Sequence, residues 1–534
     1  MKHHPAVTSG TPARPAHPTA APLSRARPRD WGAIAIIALF LLLLPLSTPR
    51  IYATDEVQYF AYLRSLYFDG DLDFRNEYEH FAELGRRHGD PAVYNALLRD
   101  NPADPVVNPR TGLLRNVAPI GSALMWAPAF ALADMGVLAA RALGAAVPRD
   151  GYSAPYIWAV CLMSALYSLA GLLLTYRLAR RSAGAFAATL ATVGVWLASP
   201  LVFYTYILMP WSHATGFFLF ALFLTVWMGP DGGRWTADGE RRGDAMGDRR
   251  AESDAPHAPA PLSDRRISDA PLARSPARWA LLGLVGGLMA LTREQLGLLL
   301  IIPAGEAAYH YARLVRGRRW RQAGRLLARH AVFLAVLLLA IAPQLLVYRA
   351  LYGQFRPSNT VAGKLDFTSP HFWGALFDPA HGAFLWSPIL LIGLAGLLWL
   401  ARRDGLLALL LFLGFLAEAY INGSFATWTL RRAFGYRRLI EVTPIVVLGL
   451  AALLQWLRPR AGRWPLGLAV GALVAWNFGL IAQWTLVRPE LREGLIWHDM
   501  LRYQLVEVPQ RVVGEFGRLL FERCRFTQNG SCRR

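Results

Sequence analysis

Two adjacent carboxylates, Asp55 and Glu56, stand in "RIYATDEVQYF" (50–60), directly after the first long apolar run, "WGAIAIIALFLLLLPL" (31–46). An acid at the edge of a bilayer is suited to taking a proton from a hydroxyl that meets a lipid-borne group there. A purely structural role also fits. Asp55 with Gln58 three residues on has the pattern of an N-cap and its capping-box partner, opening a helix over 56–68 at about 1 kcal/mol of helix stability. Neighbours on a helix do not share a face, so Asp55 and Glu56 cannot both address one substrate without special geometry.

Cations that could hold an anion beside such a base are Arg293 in "LTREQ", Arg431, Arg432, Arg437 and Arg438 in "NGSFATWTLRRAFGYRR" (422–438), and Lys364. An arginine near a span end is also an ordinary snorkelling flank. Arg293 departs from that pattern because it occupies a short turn between two apolar runs. Arg437 and Arg438 sit at the start of another run, at the level of a lipid phosphate. His213, His371 and His381 could join a carboxylate around a divalent ion, but their spacing predicts no metal site and leaves a metal cofactor open. "DGDLDF" (69–74) has Phe74 and His80 where a calcium loop needs glycine and glutamate, and is expected to be a solvated turn. Cys161, Cys524 and Cys532 show no zinc-ligand spacing.

The elements that must position these residues are apolar helices. Of 534 residues, 54% are hydrophobic and 17% charged, and apolar runs recur between arginine clusters, the composition of an all-α polytopic membrane protein. The formal charge is +20, with Lys2 and Lys364 the only lysines. In a membrane protein such an excess orients loops and meets anionic lipid head groups. No basic soluble domain is present to bind nucleic acid. The segment 311–330 carries seven arginines and no acid, which predicts a cytoplasmic loop. Arg177, Arg180 and Arg181, then Arg402 and Arg403, then Arg458, Arg460 and Arg463 mark further inner loops. Spans near 31–48, 155–176, 184–202, 212–228, 279–292, 295–311, 330–351, 383–400, 405–421, 439–456 and 465–486 satisfy all of these. That makes eleven crossings, with the N-terminus cytoplasmic, the first apolar run an uncleaved anchor, and Asp55 extracytoplasmic. Parity requires that 118–143, interrupted by Pro119, Pro128 and Asp134, form one or two helices on or dipping into the outer face. The first outer loop, 50–117, is expected to carry juxtamembrane helices.

Residues 1–30 and the polyampholyte 230–278, with nine arginines and nine acids, are expected to be disordered on the cytoplasmic side. The tail 487–534 is expected outside, with an apolar stripe of Val512, Val513, Phe516, Leu519 and Leu520 lying along the membrane and a short loop closed by Cys524 and Cys532.

The acidic pair just outside the first span, the proline-containing "NVAPIGSALMWAP", "LTRE" around Arg293, "HGAFLWSP" (381–388) and "WTLRRAFGYRR" together resemble the GT-C superfamily of integral membrane glycosyltransferases, in the protein mannosyltransferase and aminoarabinose transferase branch. The similarity of topology covers 31–486. It implies a GT-C-like domain that takes a sugar from a polyprenyl-phosphate donor at the outer leaflet of the plasma (inner) membrane. The acceptor would be a hydroxyl of a glycan, lipid or protein. An inverting displacement needs one base, Asp55 by this resemblance with Glu56 in support, and cations rather than a second acid for the departing phosphate. Two other functions fit a polytopic chain: a transporter or lipid flippase, and a noncatalytic subunit of the same fold. A transporter is expected to hold ionisable groups at mid-membrane, and Glu306 and Glu418 are the ones to inspect.

Overall fold

A computed structural model describes residues 30–100, 105–229, 270–358 and 363–521. Gly32 onward forms one compact unit; of the unit before it, Met1–Trp31, only the last two residues are described. The described residues contain helices and two isolated bridges but no strand ladder. In chain order the helices are α1 (Trp31–Leu43), α2 (Thr54–Arg64), α3 (Arg75–Arg87), α4 (Ala92–Leu97), α5 (Gly121–Ala142), α6 (Ala154–Ala179), α7 (Ala185–Leu197), α8 (Leu201–Tyr206) and α9 (Ser212–Met228). After the undescribed 230–269 follow α10 (Ala270–Ala273), α11 (Pro276–Thr292), α12 (Ile301–Arg316), α13 (Trp320–Tyr352), α14 (Phe372–Phe377), α15 (Ala383–Trp386), α16 (Pro388–Ala401), α17 (Gly405–Gly423), α18 (Thr443–Ala461), α19 (Arg463–Ala482), α20 (Met500–Arg502) and α21 (Val508–Phe521).

Each of the eleven apolar runs is helical. Five helices are long and apolar enough to cross a membrane: α5, α6, α13, α17, and α19 with its π-turn extension to Val487. Shorter apolar helices, among them α7, α9, α11 and α16, fill the bundle. The chain is an all-α polytopic membrane protein. Local signals set several helix starts. The Ser275 side chain accepts the Arg278 N–H with Pro276 in the first turn of α11, and Asp404 accepts the Leu407 N–H at the start of α17 (2.8 Å). Helices α16 and α18 approach through glycines: a Cβ at Gly449 would lie 2.1 Å from the Gly393 carbonyl oxygen. Small residues let backbones close in this way inside a bilayer.

The apolar side chains form two cores. The larger belongs to the bundle; the smaller joins α2, α3, α4, α5, the start of α6 and the end of α13. Helix α13 supplies both because its 33 residues reach about 50 Å at 1.5 Å per residue, well beyond a hydrocarbon layer of ~30 Å.

Segment 118–143 becomes one helix, α5, continuous through Pro128. By length and composition it could span, but its packing places it in the smaller core. Tyr167 in the middle of α6 donates to the Met125 carbonyl near the start of α5 (2.8 Å), and Tyr156 near the start of α6 donates to Asp134 (2.7 Å). The two helices are therefore antiparallel, and α5 lies along the N-terminal half of α6. Helix α9 also begins level with the middle of α6, where Tyr167 stacks on Phe218 at 5.0 Å. Asp134 is buried and held by Arg149 (2.8 Å) as well as Tyr156, so the charge that interrupts α5 is paired.

Of the segment 230–278, residues 270–278 are described and structured. Arg274 is buried and forms a two-pronged ion pair with Glu306 (2.7 and 3.1 Å), whose carboxylate also accepts Trp227 Nε1 (2.8 Å). The C-terminal stripe falls on helix α21; Cys524 and Cys532 lie outside the described residues, as do 1–29.

Candidate active site

The first helix after α1 opens differently from the capping-box expectation. It starts at Thr54, with Ala53 in the cap position, and ends at Arg64 before a π-turn. Asp55 is the second helical residue and caps nothing. Glu56, at the third, accepts the Tyr52 and Ala53 N–H groups (2.9 and 3.0 Å). Gln58 instead ties the helix to the segment that leads into α5, accepting the Val117 N–H (2.9 Å). The physical reason is that a carboxylate at the third position can reach back to the free N–H groups before the helix, which releases its neighbour from that duty.

The adjacent acids then diverge. The side chain of Glu56 is fully buried and its other oxygen accepts Trp211 Nε1 at 2.5 Å. Burial pushes its carboxyl up to about 7, against the pull of its three hydrogen bonds. Asp55 keeps 42% of its side-chain surface exposed and meets Arg437 Nη2 at 3.1 Å.

Four segments build the surroundings. Trp211, just before α9, hydrogen-bonds Glu56, lies under the Arg437 guanidinium (4.3 Å) and stacks on His213. Ser212 donates to the Tyr59 hydroxyl at 3.1 Å. Arg293 follows α11 and reaches Glu441 (3.1 Å) and His213 (3.1 Å). Arg437 and Arg438 precede α18, on a turn that passes through Gly435 at φ +60°; a Cβ there would lie 2.5 Å from Pro200. Both the backbone angle and the close approach call for glycine.

Of the expected cations, Arg437 pairs with Asp55 (3.1 Å), and Arg438 lies within electrostatic reach of Asp55, Arg437 and Arg293. Their crowding bears on Arg438, whose guanidinium is pushed down to about 10 by burial first and then by the like charges of Arg437 and Arg293. Arg438 donates to Thr427 (3.1 Å) and lies over Phe425, while its Nη1 is buried with no partner among the described residues. Arg431 and Lys364 are exposed, the Lys364 carbonyl accepting the Ala426 N–H (2.9 Å) between Phe425 and Thr427, and Arg432 turns to Glu493 (3.3 Å). Those three are long side chains on loops, where solvation outweighs any inward contact.

The histidines do not come together. His213 is buried against Glu441, whereas His371 and His381 pack on Trp428. Among the described residues no three His, Cys, Asp or Glu side chains form a metal-binding group. Glu306 is locked in its ion pair with Arg274. Glu418 is fully buried without a hydrogen-bond partner for either oxygen. The contributions of Tyr59, Trp211, Ser212 and Glu441 were not visible in the sequence, which singled out only His213 among their neighbours.

No protein-family model and no curated protein matches the sequence. Solved structures do. ArnT from Cupriavidus metallidurans, bound to undecaprenyl phosphate, matches at 17% identity and a TM-score of 0.44, over 84% of this chain and 64% of that one. The archaeal oligosaccharyltransferase AglB from Archaeoglobus fulgidus, in complex with an inhibitory peptide and a dolichol-phosphate, matches at 12% and 0.43, over 92% and 59%. The chain spans about three fifths of the length of these proteins. At such identities and scores the likeness carries no functional argument, and function has to be argued from the site.

Proposed function

We propose that this chain is a GT-C-like membrane glycosyltransferase that moves a sugar from a polyprenyl-phosphate donor to an acceptor hydroxyl on the extracytoplasmic face. The observation that carries this is the pairing of an exposed acid, Asp55, with three crowded guanidinium groups of which Arg437 lies 3.1 Å away. A base and an anion site are adjacent, as a single displacement requires.

In the reaction the acceptor oxygen bonds to the anomeric carbon while the bond from that carbon to the phosphate oxygen breaks. The hydroxyl proton passes to Asp55, and the bonding pair leaves with the polyprenyl phosphate. Attack opposite the leaving group inverts the anomeric centre. Arg437, Arg438 and Arg293 receive the phosphate, which stabilises the charge that grows on the leaving oxygen. A donor phosphate competes with Asp55 for Arg437, so donor binding frees the base. Glu56 takes no proton; it holds the start of α2 and hence Asp55. The acceptor is a glycan, lipid or protein hydroxyl.

The test is transfer from a panel of polyprenyl-phosphate sugars in proteoliposomes. Asp55→Asn is expected to lower transfer by about 10²–10⁴-fold, the contribution of a positioned base, with the protein still folded because Asp55 caps nothing and is exposed. Full transfer by Asp55→Asn overturns the assignment.

A further inference from the structure

Arg293 leaves α11 in extended conformation (φ −153°, ψ 118°), so no helix fixes its guanidinium. Three side chains do. Nε lies 3.1 Å from Glu441 Oε1, an ion-pair contact without hydrogen-bond alignment, and Nη1 lies 3.1 Å from His213 Nδ1 and donates to Ser212 Oγ (3.4 Å). His213 Nδ1 is 2.9 Å from the same Glu441 oxygen and, donating its N–H there, braces Glu441 rather than accepting from Arg293. Glu441 and His213 are 1% and 0% exposed, out of reach of a substrate that meets Asp55. Gly216, one turn along α9 from His213, leaves the room they need: a Cβ there would lie 2.9 Å from Glu441 Cγ.

We propose that Glu441 is a positioning residue that holds Arg293, braced by His213, in the orientation that receives the donor phosphate. This rests on the assignment of Arg293 to the phosphate made above. Arg293 shares its neighbourhood with Arg437 and Arg438, and like charges drive it away from them. The Glu441 carboxylate, when ionised, opposes this displacement. Two roles for Glu441 predict opposite signs. A counter-charge that only offsets the field weakens anion binding, so its removal tightens binding. A positioning residue strengthens it, so its removal loosens binding.

The experiment measures binding of undecaprenyl phosphate, as the probe, to the full chain in detergent micelles, for wild type, Arg293→Gln, Glu441→Gln and the double variant. Arg293→Gln is expected to weaken binding by about tenfold or more, the scale of a lost charge-assisted hydrogen bond. Glu441→Gln is expected to weaken it about tenfold in wild type but less than about twofold in the Arg293→Gln background, because the two act as one unit. Glu441→Asp, which keeps the charge, is expected to lose less than Glu441→Gln, and it replaces that variant in the cycle if Glu441→Gln does not accumulate in membranes. Tighter or unchanged binding by Glu441→Gln, or an equal loss in both backgrounds, overturns the proposal and leaves the phosphate assignment standing. Unchanged binding by Arg293→Gln overturns both, while the Asp55→Asn result stands apart from either.

Discussion

Glu56 makes the stability of this protein depend on pH in a direction that can be worked out. Burial raises its carboxyl from 4.5 to about 7, so the folded state holds the proton more tightly than the unfolded chain. Stability from this group is then fully present below about pH 4.5, is lost as pH rises toward 7, and changes no further above that. At 1.36 kcal/mol per pH unit the loss is about 3 kcal/mol, as an order of magnitude. Glu77 is also pushed up to about 7 by burial and acts with the same sign, so wild type alone does not isolate Glu56. Glu56→Gln does, because glutamine fills the same space and cannot ionise, while Glu77 titrates in both proteins. Unfolding in one fixed detergent, followed by tryptophan fluorescence from pH 4.5 to 8, gives the difference between the two. Wild type is expected to lose about 3 kcal/mol relative to Glu56→Gln across that range. A difference that stays flat or grows with pH refutes the reasoning. It would mean that the three N–H donors around Glu56 hold the ionised form strongly enough to cancel its burial.

Two further outcomes follow from the architecture. Glu306→Ala strands the buried Arg274 guanidinium without its carboxylate, and breaking such a pair from one side costs about 3–5 kcal/mol; size-exclusion chromatography is expected to show loss of monodisperse protein, and an unaffected profile counts against a structural role for the pair. Sidedness is checked with single cysteines at the exposed positions Arg432 and Arg318 in a chain whose own cysteines are replaced. A membrane-impermeant maleimide is expected to label Arg432→Cys on intact cells and Arg318→Cys only after permeabilisation, and the reverse pattern places Asp55 on the cytoplasmic side.

Topology was legible because hydrophobic length and arginine placement are additive along the chain. Each apolar run declares itself as a helix, whereas parity set 118–143 apart from the spans, and the helix it forms, Gly121–Ala142, is itself long and apolar enough to cross a membrane. Clustering of Arg293, Arg437 and Arg438 was legible only as far as their shared level at span ends. What decided which cations turned inward was contact between segments far apart in sequence: Arg437 meets Asp55 across 382 residues and His213 meets Glu441 across 228. Local pattern contains no term for such contacts. The start of α2 was misjudged for a different reason. Thr54, Asp55 and Gln58 all suit a helix opening by local preference, yet the cap fell on Ala53, which has no capping group, because Glu56 could satisfy the preceding N–H groups while its other oxygen took Trp211. A tertiary partner overrode local propensity.

That same exchange explains why two acids are placed side by side. A base must shed its proton to water between turnovers and must meet a substrate, so it needs exposure; a residue that fixes its position needs burial and a complete set of partners. One side chain cannot satisfy both demands. On a helix, consecutive residues point about 100° apart, so the neighbour of an exposed residue at the first turn faces the interior. Glu56 takes the buried direction with three donors, and Asp55 takes the exposed one beside Arg437. Trp211 couples the two, since its N–H holds Glu56 while its ring carries the Arg437 guanidinium. Asp55 and Arg437 are therefore both tied, through one buried aromatic, to the fully buried Glu56 carboxylate.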